Sequence, residues 1–216
     1  MTDLAAWRVL VTAGGTREPI DPVRYIGNRS SGRMGNAIAV SAAARGACVT
    51  LITTMTPPDF DGVVVRVETA AEMAAAVWER VADHDVIVMA AAVADFRPVV
   101  SHSHKLARAD GPPVIELEAA PDVLAGVVER NVGAIIVGFA AETGSLDRAV
   151  AKAQSKGVDL LVANDVLAVG SGFGTATNQV TVIMPDGTID PWPLLTKDEV
   201  AHRLWDLLVD LRDQQD

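Results

Sequence analysis

The stretch WRVLVTAGGTREPIDPVRYIGNRSSGRMG, residues 7–35, decides the fold. Residues 7–13 form a short apolar run that reads as a buried strand, and SSGRMGNAIAVSAAARG, residues 30–46, reads as a helix. The polar loop between them therefore sits at a strand-to-helix turn, and in an open α/β sheet such turns face the ligand crevice. Gly14, Gly15, Gly27, Gly32 and Gly35 let backbone N–H groups come close to a ligand, while Arg17, Arg24, Arg29 and Arg33 attract anions. The loop suits a phosphorylated ligand.

The same alternation continues along the chain. Residues 7–13, 47–54, 62–68, 85–93, 134–140 and 159–164 are runs rich in Val, Ile and Leu without polar alternation, as expected of parallel strands covered on both faces. TAAEMAAAVWERVADH (69–84) opens with a capping box, Thr69 and Glu72, and TKDEVAHRLWDLLVDLRD (196–213) repeats it with Thr196 and Glu199. The pattern predicts one α/β domain over residues 1–216 with a doubly wound, mainly parallel, Rossmann-like sheet. Two segments break it. Residues 96–113 lack periodicity and are expected to form a flap; residues 178–195 place Asp186-Gly187 between two strand-like halves and predict a projecting C-terminal β-hairpin extension.

Composition limits what this fold can serve. A hydrophobic fraction of 50% with 21% charged residues excludes wholesale disorder, and no apolar run is long enough to span a membrane. With no signal-peptide pattern at the start, the expected location is cytoplasmic. A formal net charge of −10 repels a nucleic-acid backbone, so an anionic ligand must be small and met by a local basic cluster. Cys48, the single cysteine, is expected to be a small buried hydrophobe within its strand.

Polar groups gather at the carboxyl ends of the strands. VMAAAVADFRP brings small Ala90–Ala92 and then Asp95, which suits Mg²⁺ shared with phosphate oxygens. VGFAAET places Phe139 and Glu142 at the same edge, and VANDV adds Asn164 and Asp165; a helix cap or loop role accounts equally for Glu142 and Asp165. Lys152 and Lys156 stand four apart on one helical face, a spacing that serves a polyphosphate or an ordinary solvated surface. His84, His102, His104 and His202 show no zinc-ligand spacing.

VLVTAGGTREPIDPVRYIGNRSSGRMG, AAAVADFRP, KLAR, APDVLAG, VGFAAET and VANDV, in that order, resemble the phosphopantothenate cysteine ligase family, over roughly residues 8–190. The resemblance implies coenzyme A biosynthesis: CTP activates the carboxylate of 4′-phosphopantothenate as an acyl-cytidylate with loss of pyrophosphate, and cysteine then displaces CMP. It implies Asn28 at the acyl-cytidylate, Met89, Ala90 and Ala91 around the cytosine, and Asp95 at the nucleotide and its Mg²⁺. Lys105 matches the flap lysine, Pro121, Asp122, Val123 and Leu124 the nucleotide-contacting turn, Phe139 a residue packed near the nucleotide, and Lys152 and Lys156 the pair at its phosphates. The family's flap usually reads Lys-Ile-Lys-Lys; here Lys105-Leu106-Ala107-Arg108 carries one positive charge fewer. A homodimer paired through the 178–195 hairpin is also implied, as is a flavin-dependent phosphopantothenoylcysteine decarboxylase partner.

Two other readings stand beside this one. VLVTAGG and the doubly wound pattern suit an NAD(P)-dependent short-chain-type reductase, but GGTREPID lacks the G-x-G-x-x-G spacing, and Tyr25, the single tyrosine, has no lysine four residues on. A non-catalytic nucleotide-binding paralogue is the other, suggested by the altered flap.

Overall fold

A computed structural model describes residues 2–130, 133–142, 151, 155–165, 167, 168, 170–172 and 174–213. Its centre is an eight-stranded sheet. The parallel part joins β1 (Arg8–Ala13), β4 (Cys48–Thr53), β5 (Val63–Arg66), β6 (Val86–Met89), β9 (Ile135–Glu142) and β10 (Leu160–Asp165). Two antiparallel strands, β12 (Val180–Ile183) and β13 (Ile189–Pro191), complete the order β13-β12-β10-β9-β6-β1-β4-β5.

The strands are apolar throughout because alternate side chains enter two different cores. Val9, Val11, Val86 and Val88 face one core with Ile38, Leu204 and Trp205, whereas Leu10, Ile87 and Met89 face the other with Met73, Val77 and Val127. The first core is roofed by α1 (Arg33–Ala44) and α4 (Lys197–Asp213), the second by α2 (Ala70–Trp78) and α3 (Val123–Arg130). Thr69 and Glu72 form the expected reciprocal cap of α2, and Thr196 and Glu199 exchange the same pair of bonds at α4. No helix among the described residues is long and apolar enough to cross a membrane.

Three expectations change in detail. The 178–195 hairpin is present, with Gly187 at φ 88° in its turn, but it lies along the edge of the central sheet rather than projecting from it. Val180, Val182 and Ile183 are buried there, so β12 already has cover on its own sheet. The loop after β1 contains a ribbon of β2 (Arg17–Pro19) and β3 (Tyr25–Gly27), and the flap begins with β7 (Phe96–Pro98) paired to β8 (Leu117–Ala119). Cys48 is exposed: it is the first residue of β4, on the face shared with Thr50 and Ile52, where a surface groove rather than a helix lies over it.

Gly35 sets how closely α1 approaches β1. A Cβ there would lie 2.6 Å from Ala13 Cβ and 2.7 Å from the Thr12 carbonyl oxygen, both anchored in the sheet. Gly35→Ala should therefore lower unfolding free energy by about 1–3 kcal/mol, the usual cost of overpacking. Urea denaturation checks this; an unchanged midpoint would mean that α1 shifts outward freely.

Candidate functional site

The sheet order reverses beside β1: the chain moves outward through β4 and β5, then returns to β6 on the other side of β1. The loops leaving β1 and β6 meet at that point and stay hydrogen-bonded beyond the strands. Ala92 N–H donates to the Gly14 carbonyl at 2.7 Å, Thr16 N–H to the Ala92 carbonyl at 3.3 Å, and Ala94 N–H to Thr16 Oγ1 at 2.9 Å. Gly14 is needed here, since its φ is 92° and a Cβ would collide with Thr54 Oγ1 at 2.2 Å.

A cavity of about 480 Å³ opens beside this seam. Its lining brings together Asn28, Met89, Ala91, Asp95, Pro121, Asp122, Val123, Leu124, Phe139 and Lys156, drawn from segments far apart in the chain. Ala90 instead lines a second, adjoining cavity. Lys105 lies in a separate groove with Arg24, Leu106 and Arg108, so the flap lysine and Asn28 do not share a cavity in this arrangement. Lys152 lies outside the described residues.

The polar groups are already engaged. Asn28 Nδ2 donates to the carbonyls of Ala92 (3.3 Å) and Val93 (2.9 Å), which ties the residue to the seam and leaves Oδ1 as its outward polar atom. Both amide hydrogens of Asn28 are thus used by backbone carbonyls of the β6 loop. Asp122 caps α3 through Ala125 N–H at 2.9 Å and also accepts from the Lys156 ammonium. Asp165, as its loop reading allows, accepts from Leu167 N–H at 2.9 Å.

Asp95 is exposed at the cavity rim, and the described residues contain no group of three or more His, Cys, Asp or Glu able to hold a metal ion. A single exposed carboxylate of this kind is the usual protein share of a Mg²⁺ shell that substrate phosphates and water complete.

The four arginines of the opening loop divide their work. Arg17 lies over the Tyr25 ring at 5.1 Å, Arg33 donates to the Gly174 carbonyl at 3.0 Å, and Arg29 is exposed. Arg24 pairs with the buried carboxylate of Asp21 and donates to the Leu106 carbonyl at 2.8 Å; Leu106 N–H returns a bond to Asp21 Oδ2 at 3.2 Å. Burial opposes the charge on Asp21, but Arg24 and the amides of Val23, Arg24 and Leu106 outweigh it and hold the carboxyl well below the usual range. One buried carboxylate thus fastens the basic end of the flap to the β2–β3 turn.

Sequence reasoning missed the second cavity, of about 110 Å³, where Arg33, Asn164, Asn178 and Lys197 meet across Ala90–Ala92 and Phe139. One signal was available. Lys197 begins α4, the end of a helix where a cation is electrostatically disfavoured.

The comparisons with known proteins follow this geometry. Residues 4–211 match the family described as DNA/pantothenate metabolism flavoprotein C-terminal domain. The chain belongs to that family. It is 50% identical over 224 residues to the coenzyme A biosynthesis bifunctional protein CoaBC of Mycobacterium tuberculosis, covering 96% of this chain and 53% of that protein. Its counterpart in Thermococcus kodakarensis is 44% identical over 207 residues, covering 92% and 50%. The chain thus spans about half the length of these curated relatives. A crystal structure of the C-terminal domain of a CoaBC protein superposes with a TM-score of 0.82 at 37% identity, covering 99% of this chain and 100% of that one. The strand-to-helix connection after β1 differs from a dinucleotide fingerprint, since residues 14–32 carry a whole β-ribbon before α1 begins.

Asp21→Asn should release the flap anchor. Because Asp21 is held below its ordinary value when folded, its contribution is complete above about pH 4 and is lost as pH falls through the depressed folded value. Hydrogen exchange reads this at the Leu106 amide: protection should persist at pH 4 in the wild type and be reduced at neutral pH in Asp21→Asn. Equal protection in the two proteins at neutral pH would contradict the anchor.

Proposed function

We propose that the chain is the ligase that joins 4′-phosphopantothenate to cysteine in coenzyme A biosynthesis, with CTP as co-substrate. The observation that carries the reading is the cavity at the β1/β6 seam. It gathers Asn28, Met89, Ala91, Asp95, the 121–124 turn, Phe139 and Lys156 around one space. Family membership and the names of the relatives, which speak of pantothenate metabolism and coenzyme A biosynthesis, support it.

A carboxylate is a poor acyl electrophile. In the proposed reaction a carboxylate oxygen of 4′-phosphopantothenate attacks the α-phosphorus of CTP and pyrophosphate departs. The amine of cysteine then attacks the acyl carbon of the mixed anhydride, the C–O bond to phosphate breaks, CMP leaves, and the amine loses a proton. The chain supplies position and charge. Apolar Met89, Ala91 and Phe139 accept the flat base, Lys156 meets phosphate oxygens, and Asn28 Oδ1 accepts a hydrogen bond from the attacking cysteine amine. Lys105 brings a further positive charge when the flap folds over, and closure keeps water from the anhydride. Asp95 holds Mg²⁺, which neutralises phosphate charge when bound.

The proposed setting is a cytoplasmic homodimer, working with a flavin-dependent phosphopantothenoylcysteine decarboxylase; the relatives are named bifunctional and are about twice as long. The 178–195 hairpin, whose strand β13 forms an open sheet edge, is the proposed pairing element, and the ribbons add an apolar surface in which Tyr25, Phe96 and Leu117 are about half exposed, at 53%, 57% and 46%.

The decisive assay supplies CTP, Mg²⁺, 4′-phosphopantothenate and cysteine and follows pyrophosphate and CMP separately. Lys105→Ala should slow pyrophosphate formation by roughly 10²-fold, as when one preorganised donor is lost. Asn28→Asp, which loses the donor to the Ala92 and Val93 carbonyls and sets a carboxylate against them, should loosen the seam and slow pyrophosphate and CMP release together. A protein that releases no pyrophosphate under these conditions is not this ligase. Light scattering should report twice 22.7 kDa for the wild type and the single-chain mass for Phe96→Asp; a wild-type monomer at micromolar protein removes the dimer proposal.

A further inference from the structure

Trp78, the last residue of α2, reaches across to the turn that opens α3. Its indole Nε1–H donates to the Val123 carbonyl at 3.1 Å, and among the described residues this is the one hydrogen bond that joins the two helices. The rest of the contact is shaped around the ring. Gly126 leaves the space that the ring fills: a Cβ there would lie 2.3 Å from Trp78 Cε2 and 2.4 Å from Nε1. The Arg130 guanidinium covers the ring at 4.5 Å and is itself held by the Gly126 carbonyl at 2.9 Å. Val123, Gly126 and Arg130 fall on one face of α3 and grip a single indole.

A hydrogen bond positions its acceptor only where the donor is itself fixed, and α2 is fixed at its other end. Its start carries the reciprocal Thr69–Glu72 cap, and the buried Glu18 of β2 accepts from the Ala70 N–H at 2.8 Å. Arg17 N–H adds a bond to the Glu68 carbonyl at 2.9 Å. Between the two ends, Met73, Ala74 and Val77 are buried in the second core. What the indole holds is part of the seam cavity, since Val123 belongs to the 121–124 turn in its wall. Asp122, beside it, sets the first turn of α3 with its side chain on Ala125 N–H and its carbonyl on Gly126 N–H at 3.1 Å, and it pairs with Lys156. A displacement of Val123 therefore carries Asp122 and the Lys156 ammonium with it.

We propose that Trp78 is a positioning residue for the nucleotide: it lies outside the lining of the seam cavity but holds the 121–124 turn where CTP is met. The identity of the nucleotide and its contact with the turn rest on the ligase reading; the grip of the indole on α3 does not. An indole that only satisfied its own donor would cost stability when removed and leave the balance between substrates as it was. A positioning indole gives a loss confined to CTP, because in that reading the turn meets the nucleotide and not 4′-phosphopantothenate.

Trp78→Phe keeps an aromatic ring in the space beside Gly126 and removes the N–H. In the full chain it should bind CTP with Mg²⁺ about fivefold more weakly by calorimetry, the usual scale of one lost hydrogen bond, while affinity for 4′-phosphopantothenate changes less than about twofold. In turnover, KM for CTP should rise by the same factor with kcat and the KM for cysteine little changed, as when binding is lost equally from ground and transition states. Gly126→Ala attacks the same contact from the other helix: its methyl displaces the ring and should reproduce the CTP-selective loss, although alanine is the better helix former. In the wild type, the Trp78 indole N–H resonance, assigned by its disappearance in Trp78→Phe, should shift when CTP and Mg²⁺ are added and stay in place with 4′-phosphopantothenate alone. A Trp78→Phe variant that binds CTP as tightly as wild type, equal losses for CTP and 4′-phosphopantothenate, an unmoved resonance at CTP saturation, or a wild type that binds no CTP would overturn the proposal. CTP affinity that depends on Trp78 in a protein that releases no pyrophosphate would support the positioning role and count against the ligase reading instead.

Discussion

The arrangement depends on the backbone seam between the loops that leave β1 and β6. Parallel pairing continues past the last strand residues, through the Gly15–Ala92 bridge and the bond from Ala92 N–H to the Gly14 carbonyl. Two loops at a sheet's switch point would otherwise splay apart, because the helices that follow them lie on opposite faces. Holding them together requires a residue that tolerates φ near 92° beside Thr54, and small side chains opposite; Gly14 and Ala90–Ala92 meet both requirements. Asn28 then becomes part of the seam, since both carbonyls it binds belong to the β6 loop. The cavity is a consequence of the seam rather than a separate construction.

Much of this was legible in the sequence because the strands are long enough to declare themselves. Uninterrupted Val, Ile and Leu runs located every parallel strand, and Thr69/Glu72 and Thr196/Glu199 marked two helix starts by a local chemical device. The ribbons were not legible. β2, β3, β7 and β8 have three residues each, two of them contain proline, and no alternation can develop over so short a span. Cys48 was misjudged for a related reason: strand membership predicts burial only where another layer covers that strand end. The resemblance located residues around the seam cavity but did not reveal how they are occupied. Asn28 is named by the resemblance, but only the fold shows its amide hydrogens bound to the Ala92 and Val93 carbonyls. Lys197 looked like one more charged residue of an amphipathic helix, and its burial depends on strand β11 (Thr177–Asn178), which is too short to be seen in advance.

Charge accounts for the remaining organisation. Several cations of this acidic chain are held in ion pairs: Arg45 binds Asp3 and Asp206, Arg97 binds Glu118, and Arg24 binds Asp21. These pairs differ in kind. Arg97 and Glu118 are both substantially exposed and join β7 to β8 only weakly, as solvent-screened pairs do. Asp21 is fully buried, accepts backbone amides as well as a guanidinium, and so fixes geometry. Flap position is therefore fixed near its middle, at Leu106, while Lys105 next to it stays exposed.

Lys156 illustrates how a paired cation remains available for binding. Its partner Asp122 is half exposed, so solvent screens their attraction and the pair contributes little to folding. Asp122 also caps α3 through Ala125, and that bond keeps the carboxylate in place whether or not the lysine leaves. In the proposed reaction a polyanionic ligand in the seam cavity would compete with this screened carboxylate for the ammonium, and its phosphate oxygens would offer more charge. The exchange costs the fold little because the cap persists.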